Sequence, residues 1–246
     1  MSALLEVRDL RKEFKQQVAV DGVSFSVAEG GSLAIVGESG SGKSTCARVI
    51  TGLERATSGT VILTGAVQMV FQDPYQSLDR RQTVTACLNE VLAHHTRLDR
   101  AARRDRIAEL LALVGLDERH GRALPRALSG GQRQRVAIAR SLAAEPRLLV
   151  LDEAVAALDV SIQAQILNLL IEARAATGVA YLFITHDLSV VRHVCDDVVV
   201  MHRGRIVESG PVADVLDRPE AEYTRRLVAS VPRAGWVPRR RGSVAC

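Results

Sequence analysis

The order of apolar segments predicts an α/β fold built on a mostly parallel sheet, and three features of the 246-residue chain carry that expectation. From about residue 130, helical stretches alternate with short, wholly apolar runs such as Leu148-Leu-Val-Leu151 and Val179-Ala-Tyr-Leu-Phe-Ile184. Such runs are typical of strands buried on both faces. Nearer the start, the apolar run Ser32-Leu-Ala-Ile-Val36 leads through a glycine-rich loop into a helical stretch. Between these regions, residues 82–128 switch to a helical period, which predicts a mostly helical subdomain, about 82–130, inserted into the α/β core.

Taken in order, Leu4-Leu-Glu-Val-Arg-Asp-Leu10 alternates roughly as a strand should, and Val23-Ser-Phe-Ser-Val27 follows as a second strand before the turn Glu29-Gly30-Gly31. Residues 32–36 form a buried strand and residues 45–53 a helix. Ser58-Gly-Thr-Val-Ile-Leu63 and Val67-Gln-Met-Val-Phe71 are short strands. In the middle third, Ile107, Leu110, Leu111 and Val114 recur at helical spacing, with Arg103, Arg104, Asp105, Arg106 and Glu109 on the opposite side. Gly115 and Pro125 punctuate this stretch. Residues 132–143 and 162–177 read as helices flanking the strand at 148–151, and 179–184 as the next strand. Val198-Val-Val-Met201 and Arg205-Ile-Val-Glu208 bracket Arg203-Gly204, a hairpin signal.

Composition narrows the class. Hydrophobic residues make up 47% and charged residues 24%, ordinary for a globular protein. No apolar run approaches the ~18–20 residues of a membrane-spanning helix, and residues 1–7 lack the basic-then-apolar pattern of a leader. Cys46, Cys87, Cys195 and Cys246 are scattered, which suits free thiols rather than a metal site or disulfides. The net charge of +4 comes from the end of the chain: residues 225–246 hold six arginines and no acid, leaving −2 for the rest. With aromatics at 3% and no basic face in the body, a nucleic-acid partner is not expected. Residues 231–246 read as a basic, flexible tail that either contacts anionic lipid or has no role.

The chemistry concentrates in a few segments. Gly37, Glu38, Ser39, Gly40, Ser41, Gly42, Lys43, Ser44 and Thr45 complete the pattern G-x-x-x-x-G-K-[ST] in its required context of strand, loop and helix. Glycines let backbone N–H groups crowd a phosphate, the helix end adds its dipole, and Lys43 reaches the outer phosphates. Ser44 places a hydroxyl on a magnesium ion. This loop predicts a nucleoside triphosphate. The buried run 148–151 ends in Asp152 and Glu153, which places Asp152 to hold the magnesium and Glu153 to polarise the attacking water. His186 follows the next buried strand; alone it reads as a structural histidine, but beside the other motifs it becomes a γ-phosphate sensor. Ser129, Gly130, Gly131 and Gln132 open a helix with a capping serine and two glycines, a second anion cradle. One nucleotide does not need two cradles, so this one is expected to serve a nucleotide held by another subunit.

In order and identity these segments resemble the ATP-binding subunits of ABC transporters over roughly residues 4–230. The resemblance implies a P-loop NTPase ABC ATPase fold: an α/β core with a small antiparallel β subdomain and the inserted helical subdomain, spanning residues 1–230. It makes residues 37–45 the Walker A motif and residues 148–153 Walker B. Leu128 to Gln132 become the signature motif, Ala157-Leu158-Asp159 the D-loop and His186 the switch histidine. Gln72 becomes the Q-loop glutamine, a catalytic and magnesium-contacting residue that couples the γ-phosphate to the helical subdomain. Phe14 matches the aromatic that stacks on adenine, with a core phenylalanine as the plain alternative. Val70-Phe-Gln-Asp-Pro-Tyr-Gln-Ser-Leu-Asp79, residues 152–166 and Tyr223-Thr-Arg-Arg-Leu-Val-Ala-Ser-Val-Pro232 are similar to importers of the oligopeptide, dipeptide and nickel group.

From the resemblance follow ATP and Mg2+ as cofactors, Glu153, His186 and Gln72 as catalytic residues, and a second ABC ATPase subunit as partner, in a homo- or heterodimer. Two transmembrane permease subunits and, indirectly, an extracytoplasmic solute-binding protein complete the set, with the chain peripheral on the cytoplasmic face of the membrane. The rival class, a non-transport ABC ATPase for DNA repair or translation, usually carries coiled-coil insertions or two cassettes, and neither is seen. A catalytically dead ATP-binding module is opposed by Lys43, Asp152, Glu153 and His186. Departures from the pattern are a short segment between Gly59 and Gln68, Ala156 where many relatives have serine, and Ala221-Glu222 where the family has His-Pro. The short segment predicts a trimmed antiparallel subdomain.

Overall fold

The computed structural model describes residues 3–15, 17–73 and 77–230, so the basic tail at 231–246 lies outside the described residues. Two sheets organise the chain. β1 (Ala3–Phe14), β2 (Gln17–Ala28) and β4 (Ser58–Leu63) form an antiparallel sheet in the order β2-β1-β4. Both β1 and β2 run further than the alternating pattern suggested. The charged end of β1 breaks the alternation but finds tertiary partners: Lys12 bonds Glu54 at 3.0 Å, and Arg11 pairs with Glu13 and Asp21. Irregular register near Leu10 and Lys12, with Asp9 in the left-handed region, lets the ladder continue past these residues.

The second sheet has the order β5-β6-β7-β3-β8-β9. It contains β5 (Val67–Val70), β6 (Leu148–Asp152), β7 (Ala180–Thr185), β3 (Ser32–Val36), β8 (Asp197–His202) and β9 (Arg205–Pro211), all parallel except β9. Every residue of β3 and β7 is buried, as their apolar runs require, and Ser32 and Thr185 at their ends are buried with them. β8 and β9 meet in the hairpin expected around Arg203-Gly204.

α1 (Lys43–Ile50) starts at the lysine of the glycine loop and stops short of the expected residue 53, because Gly52 turns left-handed at φ 75°. Between β5 and β6 in the chain lie α2 (Val84–His95), α3 (Arg100–Leu113) and α4 (Glu118–Arg122), capped by Thr83, Asp99 and Asp117. Leu88, Leu92, Ile107, Leu110 and Leu111 from these helices share one apolar cluster with α5 (Gly130–Ala143) through Val136, Ile138 and Leu142. α6 (Val160–Thr177) begins two residues before the expected start, because the Asp159 carboxylate accepts the Ile162 N–H at 2.9 Å. Three short helices complete the described residues, α7 (Leu188–Val194), α8 (Val212–Asp217) and α9 (Glu222–Ser230). They span too few turns to show a helical period in sequence. Among the described residues, no helix is long and apolar enough to cross a membrane.

Candidate nucleotide site

Strand register builds the site. β3 lies beside β7, and β7 beside β6, all pointing the same way. Val36 is level with Thr185, and Asp152 with Ile184. The next residues along, Gly37, Glu153 and His186, therefore emerge together at the carboxyl edge of the sheet. In open α/β sheets, that edge is where ligands bind.

The loop at 37–45 wraps the start of α1. Gly42 caps that helix at φ 102° with no side-chain cap, a conformation suited to glycine. A Cβ there would run into the Ala19 carbonyl oxygen, and one at Gly37 into that of Met201. Lys43 is buried, and its ammonium donates to the carbonyls of Gly37 at 2.8 Å and Glu38 at 2.9 Å. Burial lowers its pKa, while the negative charges of Glu153 and Asp152 oppose that shift. A cation held this way is ready for a polyanion.

Around the loop is a cavity of about 280 Å3, lined by Phe14, Gln17, Ala19, Ser39, Gly40, Gly42, Lys43, Ser44, Thr45 and Glu153. Phe14 is 42% exposed at its wall, which excludes the core reading for this ring. Lys12 Nζ lies 4.6 Å from the ring centroid. Gly37, Glu38 and Ser41 belong to the loop but do not line the cavity.

Ser44 Oγ donates to Asp152 Oδ1 at 3.0 Å, so a hydroxyl and a carboxylate converge beside the lysine. Oxygen donors of this kind suit magnesium, which takes one or two protein ligands and completes its shell with phosphate and water. Burial raises the pKa of Asp152; the Ser44 hydroxyl opposes that shift and the Glu153 charge adds to it. Glu153 stands at φ 49°, costly for a side chain, and its N–H donates to Ile184 O at 2.9 Å. Its carboxylate is 3.2 Å from His186 Nδ1. The two groups read separately from sequence thus touch.

Other expected residues stand apart. Gln72 is exposed just beyond β5 and does not line the cavity. Ser129, Gly130, Gly131 and Gln132 do not line it either; they open α5 and close on themselves in a capping box. Ser129 Oγ accepts the Gln132 N–H at 3.2 Å, and Gln132 Oε1 accepts the Ser129 N–H at 2.9 Å. Gly131 packs so tightly on Ile162 of α6 that a Cβ would meet Ile162 Cγ2 at 2.6 Å.

Sequence reasoning missed the supports behind the loop. The Gly204 N–H donates to Ser41 O at 3.0 Å, and the Glu38 N–H donates to the Tyr223 hydroxyl at 3.1 Å. Tyr223 had carried only a subfamily likeness, and the hairpin glycine only a turn signal.

Comparison with known proteins identifies the family. A family model described as ABC transporter matches residues 20–156. The oligopeptide transport ATP-binding protein OppF of Lactococcus lactis is 42% identical over 259 residues, covering 94% of this chain and 81% of that protein. The di/tripeptide transport ATP-binding protein DppF of Pseudomonas aeruginosa is 43% identical, covering 94% and 80%. Among solved structures, cbiO1 of Clostridium perfringens, part of the transporter complex cbiONQ, matches with a TM-score of 0.82 at 29% identity, covering 96% of this chain and 98% of that one. The ATP-binding cassette MJ0796, as a post-hydrolysis dimer bound to ADP and Pi, matches at 0.76 and 28% identity, covering 85% and 98%.

Proposed function

We propose, since the chain belongs to the ABC transporter family, that it is the ATP-hydrolysing subunit of an importer for peptides or nickel-type solutes. The observation that carries the reading is the level register of β3, β7 and β6, which delivers the lysine loop, His186 and the Asp152–Glu153 pair to one sheet edge. ATP lies with its phosphates along residues 37–45 and its adenine on Phe14. Ser44 and Asp152, which meet at 3.0 Å, would hold a magnesium ion with Gln72 brought in from beyond β5, and the ion would supply neutralising charge to the phosphates. Lys43 stays anchored on its two loop carbonyls and gives its remaining N–H to the outer phosphate oxygens. Glu153, turned toward the cavity by its left-handed backbone, polarises the attacking water. His186 holds the Glu153 carboxylate and senses the γ-phosphate. A regulatory module without catalysis would have no use for that pair.

Residues 129–132 stand apart from the cavity, which supports a second ATPase subunit, identical or related, whose nucleotide they cover. ATP then joins the halves, and hydrolysis releases them. A cleft of about 770 Å3 between α2, α3 and α4, floored by Ile107, Ala108, Leu111 and Leu116 and edged by Arg104 and Glu118, suits a helix of a permease subunit. These helices act as the docking subdomain, Gln72 links them to the γ-phosphate, and the chain works at the cytoplasmic face of the membrane beside two permeases, with a solute-binding protein outside. The names of OppF and DppF support peptides as the solute class.

The test is a mixed one. A subunit with Lys43→Ala is combined with one carrying Ser129→Arg, each inactive alone. The mixture regains one complete site if the two cradles act across a dimer. Hydrolysis by the Ser129→Arg subunit as a monomer removes the two-subunit mechanism.

A further inference from the structure

We propose that Tyr223 is a positioning residue for the phosphate loop, acting on Lys43 through a single peptide plane; this rests on the nucleotide-binding reading above. The Gly37 carbonyl and the Glu38 N–H are the two ends of one planar peptide unit. Lys43 Nζ donates to the carbonyl end at 2.8 Å. The N–H end donates to the Tyr223 hydroxyl at 3.1 Å, from α9 at the far end of the chain. The peptide cannot rotate without breaking one of these bonds, so the hydroxyl fixes the carbonyl that aims the lysine.

The hydroxyl is itself rigidly mounted. The Tyr223 ring stacks on His202, with centroids 4.0 Å apart and planes tilted by 33°. His202 ends β8, the neighbour of β3, the strand that leads into the loop. The approach to α9 is pinned to the same sheet: the Glu208 carboxylate of β9 accepts the N–H groups of Glu220 at 2.8 Å and Ala221 at 3.1 Å. Strand, hairpin and α9 therefore form a bracket that closes on the loop through the Tyr223 hydroxyl.

Tyr223→Phe in the full chain keeps the ring stack and removes only the acceptor. Two quantities are expected to move, ATP affinity and hydrogen exchange of the Glu38 amide without nucleotide, and kcat is read as the control. Losing one net hydrogen bond weakens ATP binding by about two- to tenfold. The Glu38 amide exchanges faster, and kcat at saturating ATP stays within about twofold, because the reacting groups are untouched. Glu208→Ala leaves the hydroxyl in place but loosens its mount, so it shifts both quantities in the same direction by less; it also carries the test should the Phe variant fold poorly. Wild-type affinity in both variants overturns the proposal, whatever the exchange shows. If the wild-type chain itself does not bind ATP, the nucleotide reading falls, and an unchanged Glu38 exchange rate in Tyr223→Phe separately overturns the contact.

Discussion

The two helix starts proposed to take an anion are prepared in opposite ways. At α1 the cap is Gly42, which offers no side chain, so the first N–H groups of the helix face the cavity with Lys43 among them. At α5 the cap is Ser129, whose hydroxyl and whose partner Gln132 satisfy each other's backbone N–H groups. The first start is open and charged; the second is closed and neutral. A loop that must take its own nucleotide gains from standing ready, since preorganised donors cost nothing at the moment of binding. A cradle that meets only a partner's nucleotide gains from staying satisfied until the partner arrives, because unpaired N–H groups are costly when water is excluded.

The largest effect that would sharpen this comparison lies at the open start. Glu153→Gln keeps shape and hydrogen bonding but removes the carboxylate, and kcat should fall by roughly 10²–10⁴-fold, the range for a lost general base. ATP binding should persist, and the dimer should become stable enough to appear by size-exclusion chromatography. Full turnover in this variant would remove Glu153 from the chemistry.

At the closed start, Ser129→Arg should leave ATP binding to the isolated subunit intact, yet abolish ATP-driven dimerisation. An equal loss of binding in the isolated chain would mean that the second cradle serves its own nucleotide, and the contrast between the two starts would collapse. Lys43→Ala should do the reverse. Charge-assisted bonds contribute about 1.5–3 kcal/mol, so ATP affinity should fall by roughly tenfold to a hundredfold in the isolated subunit.

How much of this was readable before the structure differs between the two regions. The open start was legible because it is local: a strand, a loop of fixed spacing and a helix follow one another in 22 residues, 32–53. The acids were legible because a wholly apolar strand ends in them. Their meeting was less so, since the contact of His186 with Glu153 depends on strand order, which places β7 between β3 and β6. The length of β1 was hidden because ion pairs, not alternation, hold its far end. Tyr223 was hidden most completely, because one hydroxyl bonding one backbone N–H across the whole fold leaves no pattern in sequence.

Phe14 tests the rim of the open start. It is exposed at the cavity wall and sits in no apolar cluster, so Phe14→Ala should not unfold the protein. If the ring stacks on adenine, ATP binding should weaken by about 1–3 kcal/mol, the range for aromatic–base stacking, with Tyr or Trp tolerated. Unchanged affinity by fluorescence titration would take Phe14 out of the site.

The smallest effect returns to the two caps themselves. Ser129→Ala deletes the hydroxyl that accepts the Gln132 N–H, and a lost serine cap costs about 1 kcal/mol of stability. Its urea midpoint should fall, while ATP affinity in the isolated chain should not move. Gly42→Ala is the matching change at the other start, and it should behave differently. The added methyl meets the Ala19 carbonyl at a φ that alanine resists, and that collision occurs in the wall of the cavity. Stability and ATP affinity should therefore fall together. If both variants lost stability alone, the open start would be a structural cap like its counterpart, and the preparedness of α1 for a phosphate would rest on Lys43 without help from the helix end.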